Sequence, residues 1–110
     1  MWTQSDFDRV LGRKAVIGMV HLRPLPGAPL FRGSLAEVID VAAADVKGIV
    51  EGGADAVLFE NFGDRPFRAR SVDAVTISAM TSVIVSLKSE LAVPFGVNVL
   101  RNDGASALAI

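Results

Sequence analysis

The chain has 110 residues, 51% of them hydrophobic, and its 11 basic and 12 acidic side chains nearly cancel to a formal net charge of −1. That balance leaves no electrostatic footprint for nucleic acid or an acidic membrane. With no cysteine there is no disulfide framework, thiolate metal site or thiol nucleophile, which fits a reducing cytoplasm. Mean hydropathy is high at +0.45, yet the longest apolar runs, such as Val16 to Val20, fall far short of the roughly 20 residues that span a bilayer. We therefore expect a cytoplasmic chain without membrane insertion, whose hydropathy comes from strands buried on both faces of a parallel sheet.

Residues 1–13 carry Asp6, Asp8 and Arg9 and lack the apolar centre of a secretory signal, so they read as an N-terminal extension. The first strand-length run follows, Ala15 to Val20, ending on His21. A long loop with Pro24, Pro26 and Pro29 leads from it; its R-x-x-P-x-x-P spacing is that of a polyproline ligand, but prolines also stiffen a loop joining a buried strand to a helix, and the second explanation needs no partner. Leu35, Val38, Ile39, Ala42, Val46, Ile49 and Val50 then recur on one helical stripe. Ser34 with Glu37 predicts a capping box at its start, and Gly52-Gly53 a left-handed stop at its end.

The second run, Ala56 to Phe59, ends on Glu60-Asn61 and opens into the turn-forming loop Asn61 to Phe67, in which Asp64 reads chiefly as a turn residue. Ile77, Met80, Ile84, Leu87 and Leu91 predict a second helix, starting near Ser71 or Asp73 and ending before Pro94. The third run, Phe95 to Leu100, contains Asn98 and is followed by Arg101-Asn102-Asp103; a third helix begins at Asn102 or Asp103, with Asp103 as an ordinary N-cap. The order β-α-β-α-β-α predicts a parallel sheet with right-handed crossovers. His21, Glu60 and Val99 are 39 residues apart, but the units share no sequence identity, which disfavours a solenoid.

Parallel α/β folds assemble their sites at the carboxyl ends of the strands. All three ends here are polar. His21, the single histidine, suits a general acid or base, a phosphate contact, or a metal ligand beside Glu60; a hydrogen bond to a loop carbonyl would explain it equally. Glu60 suits a base, a metal ligand, or a buried structural partner for Arg101. Asn98 reads as an inward-facing ligand contact, against a hydrogen bond to a neighbouring strand end. Arg101 and Asn102 suit an anionic group such as phosphate or carboxylate. Neither a metal nor a cofactor is specified by this pattern, and P-loop, dinucleotide-binding, nucleophile-elbow and zinc-protease motifs are all missing.

Several separate blocks together are recognisable: Val16 to Leu22, Pro24 to Gly27, Phe59 to Asp64, Pro66-Phe67, and Gly96 to Asp103. In order and spacing they resemble the BtpA family from about Lys14 onward. The resemblance implies a (β/α)8 TIM barrel of about 250 residues, of which the first three βα units are present here. The later strands, where barrel enzymes commonly bind phosphate, are not in this sequence. The family includes a cyanobacterial photosystem I biogenesis factor and a relative, SgcQ, encoded with sugar-metabolism genes. Two functions are therefore open. One is a small-molecule enzyme with His21 and Glu60 as acid/base or metal groups and Asn98, Arg101 and Asn102 orienting a sugar- or phosphate-bearing substrate. The other is a non-catalytic photosystem I biogenesis or stability factor. Three strands leave an edge unpaired, so self-association through that edge is also expected.

Overall fold

The computed structural model describes residues 1, 3–12 and 14–110. In it the three apolar runs form one parallel sheet in the order β1 (Ile17–His21), β2 (Ala56–Glu60), β3 (Phe95–Asn98). The register places Gly18 beside Val57, Val20 beside Phe59, and Phe59 beside Val97; on the other face Met19 lies beside Leu58, and Leu58 beside Gly96. Residues two apart share a face, so this pairing separates two unlike surfaces. At the start of β1 the Asp55 carboxylate accepts the Val16 N–H at 2.8 Å, tying the two strand entrances together.

Each strand is followed by a helix: α2 (Leu35–Glu51), α3 (Ala74–Leu87) and α4 (Gly104–Ala109), with a 3-10 turn at Lys88–Glu90. Val38, Ala42 and Val46 of α2 and Ala79, Met80, Val83, Ile84 and Leu87 of α3 pack with Val20, Val57, Phe59 and Val99 into the core. Burying each larger member stabilises the fold by about 1.5–3 kcal/mol relative to exposure. Gly18 admits α2: a Cβ there would overlap the Ile49 side chain. The mixed α/β arrangement is compatible with the first units of a barrel.

The predicted helix ends are refined in detail. Ser34 accepts the Glu37 N–H, but Glu37 turns to Arg23 at 3.4 Å instead of closing the box. Gly53, at φ 90°, is the left-handed residue, and the Gly53 and Ala54 N–H groups bond the Val50 and Ile49 carbonyls in a Schellman stop. Thr81, Ser82 and Ser86 are accommodated in α3 because each donates its hydroxyl back to the carbonyl four residues earlier.

The N-terminal extension contains a helix, α1 (Gln4–Leu11), started by a Thr3–Asp6 capping box. Two expectations are corrected. The third strand stops at Asn98, not Leu100, because Leu100 and Arg101 already lie in a turn. Burial on both faces holds for β2 alone: on β1, Ile17 is 47% and Met19 39% exposed, since the helices cover one side of the sheet only.

Candidate functional site

The register that aligns the apolar layers also aligns the strand ends. His21 lies beside Glu60, and Glu60 beside Asn98, all on the face away from α2 and α3. The Asn98 amide donates to Glu60 Oε2 at 2.7 Å, and His21 Nε2 stands 3.8 Å from Oε1. That second separation is longer than a hydrogen bond but within ion-pair reach once the imidazole is protonated. The Glu60 side chain is only 12% exposed, whereas that of His21 is 47% exposed. The row is thus a shielded carboxylate held by an amide on one side and facing an accessible imidazole on the other. Beneath it lies the apolar layer of Met19, Leu58 and Gly96.

The imidazole does not stand alone. It stacks on Phe62, with centroids 4.3 Å apart and planes at 16°. The Arg65 guanidinium lies over the same Phe62 ring at 4.8 Å, and Phe67 is tilted against it at 6.2 Å. Sequence reading missed this group; its one signal was an aromatic two residues past a strand end, beside the strand that carries the histidine.

The loops behind the row are bound to one another. Asn61 is buried, accepts the Leu100 N–H at 2.7 Å and faces Asp64 at 3.5 Å; Asp64 accepts the Leu25 N–H at 2.8 Å. Burial pushes the Asp64 carboxyl above the usual carboxylate range, opposed by the hydrogen bonds from Leu25 and Asn61. Gly63 completes the contact, since a Cβ there would sit 2.5 Å from the Pro24 nitrogen and 2.7 Å from the Arg23 carbonyl carbon. Asp103 caps α4 as expected, through the Ser106 N–H at 3.1 Å, but also accepts the Ser106 hydroxyl and the Val72 N–H. Those bonds, the Ser106 hydroxyl first, hold its carboxyl below the ordinary value.

Arg101 and Asn102 are exposed in the turn after β3. Arg101 donates its backbone N–H to the Arg68 carbonyl, and Asn102 takes φ 70°. Glu60 is thus partnered by Asn98 and His21, and a Glu60–Arg101 ion pair does not form. A cavity of about 360 Å3 opens among the loops, lined by Asn61, Asp64, Phe67, Arg68, Thr76 and Leu100 among others; His21, Glu60 and Asn98 are not in its wall. Among the described residues no cluster of three or more histidine and carboxylate side chains is placed to hold a metal, and no helix is long and apolar enough to cross a membrane.

The chain is 47% identical over 105 residues to an uncharacterized protein of Thermococcus kodakarensis, covering 96% of the chain and 38% of that relative. It is 45% identical to the photosystem I biogenesis protein BtpA of Synechocystis, covering 86% of the chain and 33% of the relative. Identity is also 45% to the sgc region protein SgcQ of Escherichia coli, covering 93% and 39%. The chain therefore spans less than two fifths of the length of these relatives, and no solved structure matches it. The BtpA family model matches residues 12–110, and on that match the chain belongs to the BtpA family.

Proposed function

We propose that the His21–Glu60–Asn98 row is the acid–base centre of a small-molecule enzyme acting in the cytoplasm, built in the full-length protein at the carboxyl rim of a (β/α)8 barrel. The observation that carries this reading is the unequal exposure of the pair. Glu60 is shielded and oriented by Asn98, while His21 presents its imidazole to the open side. A carboxylate so placed stabilises the imidazolium formed when His21 takes a proton, and it faces one ring nitrogen so that the other is left for substrate. Catalytic contacts are often long before substrate binds, so a 3.8 Å separation is compatible with this role.

Asn98 is engaged with Glu60 first, so its contact with substrate is through its remaining amide capacity. Arg101 and Asn102, exposed beyond the same strand end, would receive an anionic group of a sugar- or phosphate-bearing substrate. The test is to incubate the full-length protein in D2O with a panel of aldoses, ketoses and their phosphates, following proton exchange and product by NMR. Turnover of one panel member that is lost in His21→Asn and in Glu60→Gln is expected. Turnover unchanged in both variants would remove the row from the chemistry.

The name of the Synechocystis relative favours a second reading, a biogenesis or stability factor for photosystem I in which the row is structural. It predicts that Glu60→Gln lowers the melting temperature with function per folded molecule intact.

A further inference from the structure

We infer that Phe62 is a positioning residue for His21: its ring, clamped by Arg65 and Phe67, holds the imidazole in the plane from which Nε2 faces Glu60. This rests on the reading of His21 as the proton-handling group.

The argument begins from what restrains an imidazole at a strand end. His21 is half exposed, and Glu60 Oε1 lies 3.8 Å from its Nε2, beyond hydrogen-bond length. That carboxylate cannot fix the ring by itself, and its other oxygen is already taken by Asn98 at 2.7 Å. Rotation about the last side-chain bond of histidine is broad and weakly restricted, so an unsupported ring would sample orientations that carry Nε2 away from Glu60. The stack on Phe62, at 4.3 Å and 16°, is the close contact that restricts this rotation.

Phe62 can do this only if it is itself held, and two neighbours hold it. The Arg65 guanidinium sits over the ring at 4.8 Å, in the range of a cation–π attraction. Phe67 packs at 6.2 Å with a tilt of 50°, inside the range of favourable aromatic pairs. Its backbone is equally constrained: Asn61 is bound to the Leu100 N–H, and Gly63 lies against the Leu22–Pro24 backbone, donating its N–H to the Leu22 carbonyl at 3.0 Å. The residues on either side of Phe62 are therefore anchored to the strand ends on either side of β2, one of them the segment that follows His21 itself. A flat ring between two such anchors is suited to fixing a plane. A leucine there would fill space without fixing one.

The test uses full-length protein labelled with 15N in histidine, with the His21 signal assigned from the His21→Asn spectrum. In the parent protein the Nε2 resonance is expected to move when Glu60 is replaced by Gln, because the ring nitrogen faces that carboxylate. In a Phe62→Leu background the same Glu60→Gln replacement is expected to leave it nearly unmoved, and Phe62→Tyr, which keeps the flat ring, is expected to restore the response. An equal response in the parent and Phe62→Leu backgrounds overturns the inference, provided the backbone spectrum shows both folded; if Phe62→Leu does not fold, Phe62→Met and the removal of the clamp by Arg65→Gln carry the same comparison. The outcome is separable from the functional reading. Turnover indifferent to His21→Asn would sink the acid–base role while leaving the Phe62 dependence of the Nε2 resonance intact.

Discussion

The two faces of the sheet are built from alternate residues of the same strands, yet they do opposite things. On one face Gly18, Val20, Val57, Phe59 and Val97 meet α2 and α3, and Val20, Val57 and Phe59 are at most 1% exposed. On the other, Ile17 and Met19 remain 47% and 39% exposed, and the row ends in His21, Glu60 and Asn98. A period of two lets one short strand serve a packed core and an ionisable rim at once, because a side chain changed on one face leaves the other in register. On the proposed reading the two faces divide stability from chemistry residue by residue, and each expected outcome below bears on that division.

The largest effect belongs to the rim. If the row is the proposed acid–base centre, Glu60→Gln in the full-length protein is expected to lower turnover by about 10²–10⁴-fold, the usual worth of a positioned acid–base group, with the unfolding midpoint nearly unchanged. Steady-state kinetics beside a urea melt measure both; a lowered midpoint with intact turnover would make Glu60 part of the core after all.

On the covered face, Phe59→Ala should destabilise by about 3–5 kcal/mol, the cost of an aromatic truncation in a core that cannot collapse. Met19 sharpens the contrast. If the proposed barrel encloses the open face in the full-length protein, Met19→Ala costs about 2–5 kcal/mol there; a change within about 0.5 kcal/mol would mean that the face stays in water. By the same reasoning we propose that the 110-residue chain taken alone self-associates, since among the described residues the outer strands β1 and β3 have no further strand beside them and Ile17, Met19 and Phe95 are exposed. Sedimentation at micromolar concentration should find species larger than a monomer, and a compact monomer would overturn that expectation.

An intermediate effect is expected in the loops. A methyl group added by Gly63→Ala meets backbone atoms of Arg23 and Pro24, which cannot swing aside as a flexible side chain would. Overpacking of this kind costs about 1–3 kcal/mol, read by denaturant titration. If Gly63→Ala is neutral, the loop pairing is looser than the contact implies.

The smallest effect separates the two loop carboxyls by pH. Asp64 has a folded-state carboxyl raised by burial, so its ionised form is disfavoured on folding; its share of stability is fullest below the unfolded value and declines as pH rises through the folded one. Asp103 has the opposite sign: its contribution is present above the unfolded value and is lost as pH falls through the lowered folded one. Asp64→Asn, which keeps an acceptor for the Leu25 N–H, should therefore flatten the high-pH side of the stability profile, and Asp103→Asn the acid side. Thermal melts across the carboxylate range check both, and identical profiles for the two variants would contradict the opposite signs.

Much of the scaffold could be read from the chain itself. The three apolar runs, the stripe through Val38, Ala42 and Val46, the stop at Gly52-Gly53 and the cap at Asp103 are local patterns, and local physics suffices to produce them. So could the placement of His21 and Glu60 at strand ends, because the apolar runs end there. Tertiary structure alone decided what those ends meet. Whether Glu60 would pair with Arg101 or with His21 and Asn98 depended on a register between strands 38 and 39 residues apart, set by how the helices seat on the sheet. The stacking of His21 on Phe62 joins the end of one strand to the loop of the next, and the exposure of Ile17 and Met19 depends on which side the helices cover. Sequence periodicity marks which residues share a face; only the assembled sheet determines what that face is packed against, because packing is a property of segments distant in the chain.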